Sequence, residues 1–347
     1  MTLFDRSILG RSLRRTLGAG LVASLVAVGG TSGAQAQDAE DYVLQTASTG
    51  GTYHPVGVAI ATLSKVRLLP SENFSLTAVN SAGSGANVQA LGNGTADFAI
   101  LQGLFGSYAA NGDGPISEPQ ENLRSVSMLW QNVEHFMVDA DRVDGGTVSD
   151  IASLKGESAA LGRRNSGTIG SNRVLLEGLG VNLDEDFTLV EGGYGPSADA
   201  LANGQVALAS TPAGAPVGAV TRLMASAGDS VAILDVTDEE LEQMDAGRGL
   251  WTRYVIPAGT YPGQEEDINT IAQPNFLAVN ADVNEEHVYQ LTKAMYENLA
   301  FLQGIHPATN AMSLDAALAG LPVPLHPGAQ RYYEEQGIEV PDELKAQ

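Results

Sequence analysis

The feature that most constrains this chain is a repeated alternation of short apolar runs with helical ones, joined by turns of glycine and small hydroxyl residues. Residues 41–48 alternate as a strand does, and from Gly57 to Lys65 the spacing turns helical, with Val58, Ala61, Thr62 and Lys65 along one side. Residues 74–80 read as a strand, and a helix is expected from about Ala86. Residues 97–101 form a further strand ahead of a helical stretch to Ala110, and residues 126–129 and 135–138 add two more. The pattern restarts near Asp150: strand 157–161, helix 168–179, strand 187–190, helix 196–203, strand 206–210, helix 217–227. Alternation of this kind predicts an α/β protein with mostly parallel sheets flanked by helices. The restart predicts two such lobes.

Composition narrows the function. The chain has 347 residues, enough for two lobes with real cores, and only 17% of them are charged, as expected of a globular protein. There are 18 Lys and Arg against 41 Asp and Glu, a formal charge of −23. Nucleic acid is therefore a poor partner, because phosphate backbones need basic surfaces. The absence of cysteine excludes disulfides, thiolate catalysis and cysteine-based metal sites.

The first 36 residues read as a signal peptide. Arg6, Arg11, Arg14 and Arg15 make a basic start, residues 17–28 are apolar but short for a membrane span, and Ala34-Gln35-Ala36 matches a cleavage site. Export by the general or the twin-arginine route leads to the periplasm, and removal of the peptide leaves a still more acidic chain. No later segment is apolar enough to cross a membrane.

Three turns share one chemistry. Thr49-Gly50-Gly51-Thr52-Tyr53, Ser81-Ala82-Gly83-Ser84-Gly85-Ala86-Asn87 and Arg163-Arg164-Asn165-Ser166-Gly167-Thr168 each lie between a strand and a helix. There, free backbone N–H groups and the positive end of the helix dipole suit an anion. Ligands of open α/β sheets bind outside the carboxyl ends of strands, so turns from two lobes would meet at one cleft. None has the lysine of a P-loop or the full G-x-G-x-x-G spacing, which disfavours nucleotides.

These residues resemble the TAXI class of solute receptors for TRAP transporters over nearly the whole mature chain. Thr49-Gly50-Gly51-Thr52-Tyr53-His54-Pro55 is similar to the family's first signature, with His54 where a second Tyr is usual. Gly83-Ser84-Gly85-Ala86-Asn87 and Asp97-Phe98-Ala99-Ile100-Leu101-Gln102 resemble its second block, without the acidic residue common near Gly103. Ser153-Leu154-Lys155-Gly156 and Gly162-Arg163-Arg164-Asn165-Ser166-Gly167-Thr168 resemble the second-lobe loop, where small residues usually stand in place of the two arginines. Pro257-Ala258-Gly259-Thr260-Tyr261 and His326-Pro327-Gly328-Ala329-Gln330-Arg331-Tyr332-Tyr333-Glu334-Glu335 are similar to the C-terminal marks.

The resemblance implies a two-lobed periplasmic binding protein of type II kind with a hinged cleft between the lobes; a monomer without cofactor or metal is expected. It would close on a small carboxylate and deliver it to a membrane permease driven by an ion gradient. Lobe 1 is expected at 37–140 plus 273–347, and lobe 2 at 141–272. The expected ligand residues are Thr49, Gly51, Thr52, Tyr53, Ser81, Ser84, Asn87, Gln102, Arg163, Arg164, Ser166, Gly167, Thr168 and Thr211. An arginine at 163 or 164 can pair a carboxylate through two parallel bonds, which favours organic acids over amino acids such as glutamate.

Two other functions share parts of this pattern. An enzyme finds little support: the five histidines form no metal-binding pair, and Ser166 lacks a nucleophile elbow. His135 is expected to be a core residue and His326 a helix cap. A ligand-sensing subunit of a membrane receptor would have the same pocket and differ only in its partner.

Overall fold

The computed structural model describes residues 39–346; the expected signal peptide lies outside them. The described chain forms one compact unit containing two mixed sheets. The first holds β1 (Glu40–Gln45), β2 (Phe74–Val79), β3 (Phe98–Gln102), β4 (Leu123–Val133), and, from much later in the chain, β10 (Thr252–Ile256) and β11 (Ile268–Asn280). The second holds β5 (Phe136–Asp139), β6 (Ser158–Ala160), β7 (Thr188–Leu189), β8 (Leu208–Ser210) and β9 (Val231–Ile233), in the order β7-β6-β8-β5-β9.

The βαβ units give the parallel part. β1 pairs in parallel with β2 and β3, and β6 with β7 and β8. The remaining pairs are antiparallel, so the sheets are mixed rather than mostly parallel. β5 enters from the first sheet with no helical return of its own, and β11 follows β10 in a hairpin, so each runs against its neighbours. β11 pairs β10 with its first half, β3 with its second, and β4 from Ala272 to Asn280. Sheet membership changes between Val133 and Phe136 and again between Ile233 and Thr252, where divisions at 140 and 273 were expected.

Local sequence explains the elements near the cleft. β3 is buried along its whole length, as a central strand between β1 and β11. The helix Tyr53–Arg67 buries Tyr53, Val56, Ile60 and Leu63 at helical spacing and ends in Lys65 and Arg67, which suit the negative end of its dipole. The helix Gly167–Gly178 begins at Ser166, whose Oγ accepts from Ile169 N at 3.1 Å. His135 is a buried core residue between Val133 O and the Tyr261 hydroxyl. His326 caps the helix Pro327–Glu335, accepting from Gly328 N at 3.2 Å.

Candidate functional site

Helices begin at Tyr53, Ser84, Gly167 and Tyr194, and the turns ahead of them converge between the two sheets. They surround a cavity of about 40 Å³. The chain segments meet closely there. Gln102 Nε2 donates to Gly167 O at 3.1 Å and to Ser171 Oγ at 2.5 Å. Thr52 Oγ1 donates to Gly214 O at 2.9 Å, and Ala86 N to Asn165 O at 2.9 Å. The Arg163 guanidinium donates to Ser81 O. Each of these bonds joins the part of the chain that carries the first sheet to the part that carries the second, so the cleft is closed.

Glycine permits this approach. A Cβ at Gly85 would stand 2.7 Å from Asn165 O, and one at Gly167 would stand 2.3 Å from Gln102 Oε1. The helix ladder supplies no acceptor to first-turn N–H groups. Those of Ser84, Gly167 and Thr168 meet none among the described residues.

Nine of the expected residues line the cavity: Gly51, Thr52, Tyr53, Ser84, Gln102, Arg163, Ser166, Gly167 and Thr168. Five do not. Thr49 is exposed at the tip of a turn closed by Gly51 N on Ser48 O. Ser81 and Asn87 hold their own turn to the sheet: Ser81 Oγ and Asn87 Nδ2 both donate to Thr46 O at 2.8 Å. Thr211 is fully buried beside the crossover, with its N–H on His135 O. Arg164 points outward, its side chain 83% exposed, and meets Glu191 at 3.7 Å. His54, the other polar group of the first turn, is engaged with Thr46 Oγ1 at 3.2 Å.

The cavity also has walls that the sequence reading missed. Gly192, Gly193 and Tyr194 form a fourth glycine-rich strand-to-helix turn, following β7. Its composition matches the other three and was the available signal. Tyr194 donates to Pro212 O at 2.6 Å and meets Thr168 Oγ1 at 2.9 Å, and burial pushes its phenol pKa up. The Tyr53 hydroxyl donates to Asn275 Oδ1 at 2.6 Å and is likewise raised by burial. Asn132, on the crossing strand β4, completes the polar lining and had no local signal.

The electrostatics are one-sided. Arg163 is the one charged residue among those lining the cavity, and no carboxylate lines it. The rest of the polar lining consists of neutral hydroxyls, amides and backbone N–H groups. Such a set suits a small anion. Among the described residues no group of histidines and carboxylates could hold a metal ion, and no helix is long and apolar enough to cross a membrane.

Residues 44–337 match the sequence model of the NMT1-like family. The chain belongs to the NMT1-like family. Its fold is that of two-domain periplasmic binding proteins. It is similar to MatC from Rhodopseudomonas palustris, a structure with bound malate, at 16% identity and TM-score 0.51 over 86% of this chain and 97% of that one. It is also similar to the binding protein component of an ABC phosphonate transporter from Pseudomonas aeruginosa, at 10% identity and TM-score 0.51 over 77% and 78% of the two chains. A third similar structure, from Bordetella bronchiseptica RB50, has 14% identity and TM-score 0.51 over 89% and 86%.

Proposed function

We propose that the protein is a periplasmic receptor for a small carboxylate, of the TAXI class, which closes on its solute and delivers it to a TRAP-type permease. The observation that carries this reading is the lining of the cleft: Arg163 is its one charged side chain, and the helix starts at Ser84 and Gly167 bring unpaired N–H groups to it. Of the residues expected from sequence, Ser84, Arg163 and Ser166 are the proposed polar contacts, since the hydroxyl protons of Thr52, Thr168 and Tyr194 are already given to Gly214 O, Tyr194 and Pro212 O. Closure would remove the anion from water and strengthen each charge-assisted bond. The size of the cavity suits a short-chain acid and not a nucleotide. A malate complex and a phosphonate-transport component among proteins of the same fold agree with an anionic solute. Amino acids come second, because an ammonium group would want an acidic partner.

A thermal-shift screen of organic acids and amino acids tests the reading, since a ligand that binds only the native state raises the melting temperature by mass action. A rise with one or more carboxylates is expected. A rise with amino acids alone would replace the organic-acid reading.

A further inference from the structure

Among the described residues, one unpartnered carboxyl lies not in the cavity but in the crossover behind it. Glu134 lies in the short link between β4 and β5, where the chain passes from the first sheet to the second. Its backbone is pinned on both sides: its N–H donates to Ile271 O at 2.9 Å, and its carbonyl accepts from Thr270 Oγ1 at 2.9 Å. The side chain is fully buried, and neither carboxyl oxygen meets a partner among the described residues. The Trp251 indole faces the carboxyl and favours its charged form, but its Nε1 falls outside hydrogen-bond geometry and is unpartnered too. Thr211, bonded by its N–H to His135 O, has an unpartnered Oγ1.

No positive charge offsets this carboxyl. On the link itself stands His135, which burial lowers to about 4 and keeps neutral. From the neighbouring helix start comes Tyr194, whose phenol is neutral and bonded elsewhere. Arg163, the cation beside Tyr194, gives its guanidinium to Ser81 O. A buried carboxylate without a partner costs far more than a neutral carboxyl. Burial accordingly pushes Glu134 up from its ordinary 4.5 to about 8.

We propose that Glu134 is a proton-binding site in the hinge, protonated while the cleft is closed and driving the cleft open when it ionises. An opening crossover admits water to the carboxyl, and a hydrated carboxylate needs no partner. The sign follows from linkage. The closed form holds its proton up to about pH 8, whereas a hydrated carboxyl loses it near 4.5. Closure is therefore fully favoured below about pH 4.5 and loses that favour as pH rises through about 8. Within that window the closed-to-open ratio changes by up to about tenfold per pH unit. The inference rests on the hinged fold and not on the identity of the solute.

The chain has two tryptophans, Trp130 and Trp251, both buried, which makes emission a direct readout of the crossover. In the mature protein taken from pH 4 to 9, the emission should shift to the red between about pH 4.5 and 8, the window in which opening releases the proton, and solution scattering should show expansion over the same interval. Glu134→Gln, neutral at every pH, should hold the blue emission and the compact form throughout. A Trp130→Phe variant assigns the signal to Trp251. The absence of a transition in the parent, the same transition in Glu134→Gln, or ionisation without expansion would overturn the proposal. Carbon-13 spectra of the glutamate carboxyls decide the case even if Glu134→Gln fails to fold, since a Glu134 titrating in the ordinary carboxylate range would also overturn it.

Discussion

The turns Ser81–Asn87 and Arg163–Thr168 face each other across the cleft, are built from the same residue types, and do different work. In the first, side chains are spent on the scaffold. Ser81 and Asn87 bind Thr46 O, Asn87 also reaches Ile100 O at 2.9 Å, and only Ser84 and the main chain remain for the cavity. In the second, Ser166 caps its own helix, while Arg163 enters the cavity and reaches Ser81 O. Glycine and hydroxyl content thus marks where a cavity-lining turn lies, but not which side chains are left free to face the cavity. The two turns supply similar backbone donors, and the charge comes from one side only.

The comparison can be broken most severely at the point where the turns touch. In the first lobe alone, Gly85→Ala should strengthen the helix Ser84–Gly92 slightly, because alanine is the better helix former. Across the cleft its Cβ would meet Asn165 O at 2.7 Å, a backbone atom that cannot swing aside. We expect a lost affinity of about 3 kcal/mol, the upper range for overpacking, with the fold retained. Calorimetric titration together with circular dichroism checks both halves of that statement.

Arg163→Ala removes the cation and should weaken carboxylate binding by about 2–3 kcal/mol. Arg163→Lys should recover only part of it, because an ammonium cannot make the two parallel bonds of a guanidinium. Gln102→Ala removes the bonds to Gly167 O and Ser171 Oγ that hold the closed form, without touching charge. An effect of about 1–2 kcal/mol is expected, read as a faster dissociation rate rather than a slower association. The smallest effect belongs to Arg164→Ala. That side chain is exposed and makes one long surface pair with Glu191, so affinity and stability should each change by less than about 0.5 kcal/mol. A large loss there would mean that the two arginines have exchanged roles in solution.

What was legible in the sequence follows from how local each signal is. The βαβ segments were visible because strand, turn and helix are neighbours along the chain. The expected helix 168–179 is observed at Gly167–Gly178, and the expected strand 74–80 at Phe74–Val79. β10 and β11 were not read as strands, because their partners lie more than a hundred residues away or in the other half of a hairpin joined by the long loop 257–267. In the same way Arg163 and Arg164 are indistinguishable as letters. Their separation arises from the turn, in which Asn165 adopts a positive φ of 61° and Ser166 begins the helix. Tyr194 could have been found from Gly192 and Gly193. Asn132 and Glu134 could not, since a crossover strand carries no motif for what it will face.

The central claim is that the closed cleft binds a small anion through Arg163 and the helix starts opposite it. The most direct test is calorimetric titration of the mature protein with the best acid from the screen, with its neutral amide, and with the acid against Arg163→Ala. The account predicts one-to-one binding of the acid, no measurable binding of the amide, and at least a tenfold weaker acid complex with Arg163→Ala (about 1.4 kcal/mol or more). An amide that binds as well as the acid, or an Arg163→Ala variant that binds the acid like the parent, would contradict it.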